Sequence, residues 1–346
     1  MSYVTARGGE EAIRAAEALY RSLLGRLTPA FHEQLEARLP YLLDRLMGEG
    51  GVWAPRLAAL ALAQTGGDLY EGVLLLRAYR TTLPRLSPAL ALSREELCLL
   101  RRISAAFKAI PEGQVLGPTL DYSQRLLRLE ALYRAEAPPP PPEAARPAPE
   151  RYPSVSGWLR RKGLLQAPRE AAEGLPDLTT EPLRFPAPRP LALQALARAD
   201  TGGLLALGYS GMRAYNAHYH PTVSELGLGY AEVRLPHPVR GGAFAIGEVR
   251  LSFAEVVAPA QPGEPYRLGF AATLGWNEVK VIAAALLELE MQREEPHPAR
   301  SQEFVLLHTD PVEASGFALH YKLPHYVTFL SNLLAHQGQP EEVEDA

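Results

Sequence analysis

The chain has 346 residues, with 35 Lys and Arg against 39 Asp and Glu and a formal net charge of -4. That balance removes the global basic field that non-specific nucleic-acid binding draws on, so DNA and RNA are not expected partners. A single cysteine excludes a disulfide framework and the thiolate set of an iron-sulfur cluster, and no uncharged apolar run approaches the roughly 18 residues of a membrane span.

Apolar residues at three- and four-residue spacing predict helices over 10–27, 30–47, 55–64, 68–83, 94–110 and 121–134. Breaks fall at Gly8-Gly9, Gly50-Gly51, Gly66-Gly67 and Pro111, where glycine opens the backbone or proline stops a helix. Cys98, in E-E-L-C-L-L, then reads as a small packed hydrophobe rather than a reactive thiol. Residues 1–135 thus form a mainly helical region. Residues 136–153 carry five consecutive prolines and read as a Pro-rich linker or surface excursion.

From 154 to 346 the periodicity changes. Val249, Leu251 and Phe253 alternate with Glu248, Arg250 and Ser252, a strand with one buried face. Segments 230–235 and 267–273 look similar. Helix returns with Trp276, Val279, Ile282, Ala283, Leu286 and Leu289 on one face and Asn277 near its start. The expected class is α+β: a helical N-terminal part, then a mixed part with a small, mostly antiparallel sheet and C-terminal helices.

Several groups of side chains carry chemistry. His320 and His325 in H-Y-K-L-P-H have a spacing seen in histidine pairs that share zinc, though two ligands fall short of a shell. Upstream, His308, Asp310 and Glu313 offer metal ligands or acid-base groups, while Asp310-Pro311 equally reads as a helix cap. His218 and His220, with Glu225 following, form a second possible ligand pair in a turn-rich loop. Arg77 and Arg80 share a helix face, and Arg101, Arg102 and Lys108 follow; these are the local cations for a polyphosphate, or ordinary solvated charges. The glycine-bearing loop 110–119 lacks a Walker pattern.

The order of these segments carries a resemblance that no single one does. R-G-G-E-E-A-I, L-L-R-A-Y-R-T-T-L, R-R-I-S-A-A-F-K-A-I-P-E-G-Q, L-G-P-T-L-D-Y, L-L-A-L-G-Y-S and E-F-V-L-L-H-T-D-P-V-E-A-S-G-F-A-L-H-Y-K-L-P-H-Y-V resemble, over roughly residues 1 to 330, the PhnI subunits of the bacterial carbon-phosphorus lyase complex. Phe253 departs from the family, which tends to have a glutamate there, and Gly227 stands in place of an arginine.

The resemblance implies a homodimer core assembled with PhnG, PhnH, PhnJ and an ATPase-type PhnK or PhnL, and an opening segment with no apolar secretory core makes the cytoplasm its expected address. It implies a nucleosidase-type component that displaces adenine from MgATP by a phosphonate, giving ribose 1-phosphonate 5-triphosphate. It also implies that His320 and His325 help bind a zinc ion shared with PhnJ. Breaking a glycosidic C–N bond needs an acid for the departing purine and negative charge beside the ribose cation. Residue type and position nominate Glu248, Asp310 and Glu313 for that work, and Arg77, Arg80, Arg102 and Lys108 for the triphosphate. A non-catalytic scaffold lending a metal site and an independent metal-dependent hydrolase stay open beside this reading.

Overall fold

The computed structural model describes residues 9–119, 126–136, 150–167, 176–213, 220–259, 263–322 and 330–338. It opens with α1 (Gly9–Leu24), α2 (Pro29–Arg38), α3 (Pro40–Gly50), α4 (Pro55–Gln64) and α5 (Leu69–Thr81). The single helix predicted over 30–47 is two, because Pro40 lacks an N–H and crowds the preceding turn, so it ends α2 and opens α3. Asp68 caps α5 by accepting from the Tyr70 and Glu71 N–H groups. Leu43, Leu46, Met47, Leu62, Val73 and Leu76 close α3, α4 and α5 around a core of their own, with Leu35 of α2 packed against it.

The helix predicted over 94–110 is a strand instead. Arg94–Glu96 makes one 3-10 turn with a Ser93/Glu96 capping box, and β1 (Cys98–Ile103) follows. Tertiary pairing overrides the local pattern here. β1 lies antiparallel to β2 (Thr222–Pro236) on one side, and on the other bridges Leu99 to Glu150 and Arg102 to Val115. It sits so close to β2 that a Cβ at Gly229 would come within 2.0 Å of the Cys98 carbonyl oxygen. Cys98 is therefore a half-buried strand residue, not a helical one.

β3 (Ala243–Ala258) and β4 (Arg267–Leu274) complete an antiparallel sheet in the order β1-β2-β3-β4. The remaining helices are α6 (Val155–Arg161), α7 (Arg189–Arg198), α8 (Thr201–Met212), α9 (Glu278–Met291), α10 (Gln302–His308), α11 (Pro311–Leu319) and α12 (Leu330–Gln337). Ala254, Val256 and Ala271 face Leu196, Leu204, Ala284 and Leu287 of α7, α8 and α9. On the opposite face Val257 packs on Val155 and Leu159 of α6, and Phe253 on Leu99 and Tyr152. Both faces of β3 are thus covered from Ser252 onward, where the alternation predicted one. Toward its start β3 is exposed: β1 reaches β2 only at 226–230 and β4 reaches β3 only from Leu251, so the far ends of β2 and β3 form a two-stranded arm.

α9 departs from its predicted single apolar face. Lys280, Val281, Ala283, Ala284, Ala285, Leu287, Glu288, Leu289 and Glu290 are all buried, since the helix is enclosed by the sheet, α7 and α8. A helix enclosed this way brings its few charges into the interior, and that places Lys280 in the site described next.

Candidate functional site

Charged side chains from α3, α5, α7, α9 and α11 converge where the helical core meets the sheet layer. Arg77 is fully engaged. Its Nη1 donates to Asp310 Oδ2 at 2.7 Å, its Nε and Nη2 to the Glu49 carbonyl at 3.2 and 2.9 Å, and Nη2 also to the Arg198 carbonyl at 3.0 Å. Asp310 does two things at once. Its Oδ1 caps α11, accepting from the Val312 and Glu313 N–H groups at 2.9 and 3.1 Å with Pro311 in the first turn, while Oδ2 holds Arg77. The capping geometry and the site geometry therefore coexist in one carboxylate.

Arg198, in the last turn of α7, lies beside them with its stem against Gly51, whose φ of +65° and lack of a side chain admit it. Its Nε is buried without a hydrogen-bond partner, and among the described residues no ion pair reaches it. Burial first, then the like charges of Arg77 and Arg80, push the Arg198 pKa down to about 10. Arg80 is lowered as well, by burial and then by Arg85 and Arg77. These guanidiniums repel one another in a partly desolvated place, which a bound anion would relieve. Beside them opens a cleft of about 240 Å³ whose lining includes Arg198, Asp310, Glu313 and Glu181, with Leu183 and Leu306 as apolar wall.

Beneath the cleft a second layer fixes the geometry. Glu49, buried on α3, accepts from Arg45 Nε at 2.8 Å and from the Thr201 N–H and hydroxyl at 3.1 and 2.7 Å. Arg45 also reaches Asp200, the cap of α8, at 3.1 Å. Lys280 is 1% exposed and its Nζ has no hydrogen-bond partner. Burial is the main cause that lowers its pKa to about 7; Glu49 and Asp200 oppose the shift, and Arg77 and Arg45 add to it.

Arg77, Arg80, Asp310 and Glu313 are thus brought together, but the other nominated residues are not. Arg102 is wholly buried on β1, unlike a solvated phosphate ligand. Its Nε donates to Glu225 at 2.6 Å and its other nitrogens to the carbonyls of Pro111, Gly113 and Pro153. Arg101 bonds Glu278 at 2.6 Å. Lys108 is exposed in the loop after β1. Glu248 sits exposed on the two-stranded arm opposite Glu232, outside the cleft lining.

Glu225 belongs to the buried Arg102 pair, and His220 Nδ1 lies 3.0 Å from the Pro221 carbonyl; His218 falls outside the described residues. His308 stacks on Phe304. His320 is an exposed residue at the end of α11 beside Phe317 and Tyr321, and His325 also falls outside the described residues. Among the described residues no three or more His, Cys, Asp or Glu side chains converge as for a metal ion.

Sequence reasoning passed over Arg198, Lys280, Arg45, Glu49 and Asp200. Lys280 left one signal: it is the only charge between Glu278 and Glu288 in an apolar helix. Arg198 left none, since a basic residue in a last helical turn ordinarily just complements the helix dipole.

A sequence model of the family described as bacterial phosphonate metabolism protein (PhnI) matches residues 2–341. A relative named putative C-P lyase subunit protein HtxH, from Stutzerimonas stutzeri, is 44% identical, covering 96% of this chain and 94% of its own. Two relatives named alpha-D-ribose 1-methylphosphonate 5-triphosphate synthase subunit PhnI are 41% identical in Escherichia coli and 39% in Rhizobium meliloti. Each covers 96% of this chain, and 96% and 93% of its own. With coverage that spans the helical core, the sheet and α11 alike, this chain belongs to the PhnI family of bacterial phosphonate metabolism proteins.

Proposed function

We propose that the chain is the nucleosidase-type subunit of a carbon-phosphorus lyase system. In this reading a phosphonate oxygen attacks C1′ of the ribose of MgATP, the C1′–N9 bond breaks, adenine leaves with a proton, and ribose 1-phosphonate 5-triphosphate remains. One observation carries it: Arg198 lines one cleft with Asp310 and Glu313, Arg77 is bonded to Asp310, and Arg80 lies near enough to Arg77 and Arg198 to repel both. That pairs a polyphosphate counter-charge with the carboxylates a developing ribose cation calls for.

Arg198, whose Nε lacks a partner, and Arg80 take the triphosphate, while Arg77 is already committed to orienting Asp310. Asp310 is held in place by α11 and Arg77 and supplies fixed negative charge beside the ribose. Glu313, exposed one turn on, handles the proton of the departing base.

The assembly belongs to the same proposal: a cytoplasmic homodimer joined by PhnG, PhnH, PhnJ and PhnK or PhnL. So does a zinc ion held by His320 and His325 with donors from PhnJ, because this chain's described residues do not offer a full shell. The names of the relatives support the pathway, since they specify a synthase subunit for a ribose methylphosphonate triphosphate. The test is adenine release from MgATP with methylphosphonate, by the chain with its partner subunits. Arg198→Ala should raise KM for ATP at least tenfold, and Glu313→Gln should lower kcat. Wild-type kinetics in both variants would overturn the assignment.

A further inference from the structure

A second, smaller cavity of about 100 Å³ lies where the end of α6, the start of α7, the start of β4 and the residue after α9 come together. Three arginines line it, Arg160, Arg189 and Arg267, with the amide side chains of Gln166 and Gln292 and an apolar wall at Leu268. No carboxylate lines it among the described residues.

Among the described residues the carboxylate paired with this group is already taken. Glu288 accepts from Arg189 Nε at 2.9 Å through Oε1 and from the Phe270 N–H at 2.9 Å through Oε2. The side chains of Arg160 and Arg267 make no ion pair or hydrogen bond among the described residues. Each has an ordinary explanation taken singly. Arg160 complements the C-terminal end of α6, and Arg267 puts a charge on the edge strand of the sheet. Neither explanation accounts for three guanidiniums converging on one cavity, where they repel one another and leave their forked donors open.

We propose that this cavity binds a tetrahedral phosphorus oxyanion, the phosphate or phosphonate head of a small molecule. Guanidinium forks match the oxygen spacing of such a group, and three of them suit its double negative charge. The volume admits one such group and is too small to enclose a whole nucleotide, and Leu268 offers an apolar wall for a small alkyl substituent beside it. The inference is independent of the function proposed for the larger cleft, because the two sites share no lining residue.

Calorimetric titration of the full chain tests it, with inorganic phosphate in one arm and methylphosphonate in the other. Saturable binding in either arm is expected, and the arm that binds more tightly identifies the source of the oxyanion. The Arg160→Ala/Arg267→Ala pair should weaken that binding tenfold or more. Because neither arginine has a partner to orphan, the pair should unfold at the wild-type temperature. Should it unfold lower, Arg160→Gln/Arg267→Gln, which keeps most of the stem packing, is titrated instead. No saturable binding in either arm, affinity within twofold of wild type in the double variant, or a loss confined to Arg198→Ala would each overturn the proposal.

Discussion

Asp310 is the residue whose replacement tests the geometry of the larger cleft most directly. Asp310→Ala removes a helix cap worth about 1 kcal/mol. It also strips Arg77 of its only carboxylate partner among the described residues. Breaking a fully buried pair costs about 3–5 kcal/mol, but the Asp310 side chain is 31% exposed and that of Arg77 13%, so solvent screens much of this and about 1–2 kcal/mol is expected. The sum is about 2–3 kcal/mol. Asp310→Asn keeps a side-chain oxygen for the Val312 and Glu313 N–H groups but turns an amide donor toward Arg77 in place of Oδ2, so it should cost about 1–2 kcal/mol, the pair without the cap. Urea unfolding of the two variants beside wild type measures both numbers. Adenine release should fall in Asp310→Asn despite its nearly intact fold. If Asp310→Asn destabilises as much as Asp310→Ala, or neither moves the midpoint, the dual role assigned to this carboxylate is refuted.

Two interior charges make opposite predictions with pH. The folded Lys280 pKa, about 7, lies below its ordinary 10.5, so the unfolded chain binds the extra proton between those values and stability rises with pH across that window. Lys280→Met should therefore stabilise most below pH 7 and lose its advantage toward pH 10.5; a pH-independent difference would contradict this. Glu255, beside Glu225 on the neighbouring strand, is raised to about 7, first by burial and then by Glu225. The folded chain then holds the proton between pH 4.5 and 7, and stability falls as pH rises through that range. Glu255→Gln should match wild type at pH 4.5, apart from a constant offset from its altered bonds to Ser156, and gain on it up to pH 7; a gain in the reverse order would refute the sign. A Cβ at Gly227 would meet the Phe253 ring at 2.2 Å, so Gly227→Ala should cost about 1–3 kcal/mol by overpacking. In a Phe253→Ala background that penalty should largely vanish, and additive costs in a double-mutant cycle would count against the clash.

Much of the fold was legible where local chemistry decides it. The caps at Asp68 and Asp310, the period-two runs of β2, β3 and β4, and the start of α9 beside Asn277 stand where residue type places them. Besides 126–134, where the predicted helix is a 3-10 turn (Leu129–Leu132), the misread segment was β1. Its L-C-L-L-R-R-I pattern suits a helix face, and only contacts distant in sequence, with Gly229, Glu225, Val115 and Glu150, reveal a strand. Gly227 and Phe253, two of the positions expected to depart from the family pattern, looked unrelated along the chain. They are register partners on β2 and β3, where the ring occupies the space a side chain at 227 would need. The site was half legible for the same reason: Arg77, Arg80, Asp310 and Glu313 stand in polar segments that catch the eye, whereas Arg198 and Lys280 acquire meaning only through what surrounds them.

The two buried arginine groups show how structure separates a support from a site. Every nitrogen of Arg102 has a protein partner, Glu225 or one of three carbonyls, and Tyr152 lies against its guanidinium. A charge satisfied that completely has nothing to offer a ligand, and its removal would leave three buried carbonyls short of a donor and Glu225 with Arg94 as its remaining cation. Around the larger cleft the arrangement is reversed. Arg77 is satisfied and orients Asp310, but Arg198 keeps a buried donor without a partner, Arg80 faces like charges, and Lys280 lies beneath them with no hydrogen bond. A fold gains nothing in stability from cations left this way, since each adds desolvation and repulsion without a compensating bond. That cost makes sense where a polyanion arrives to complete the donors, and strain of this kind concentrates where function requires it.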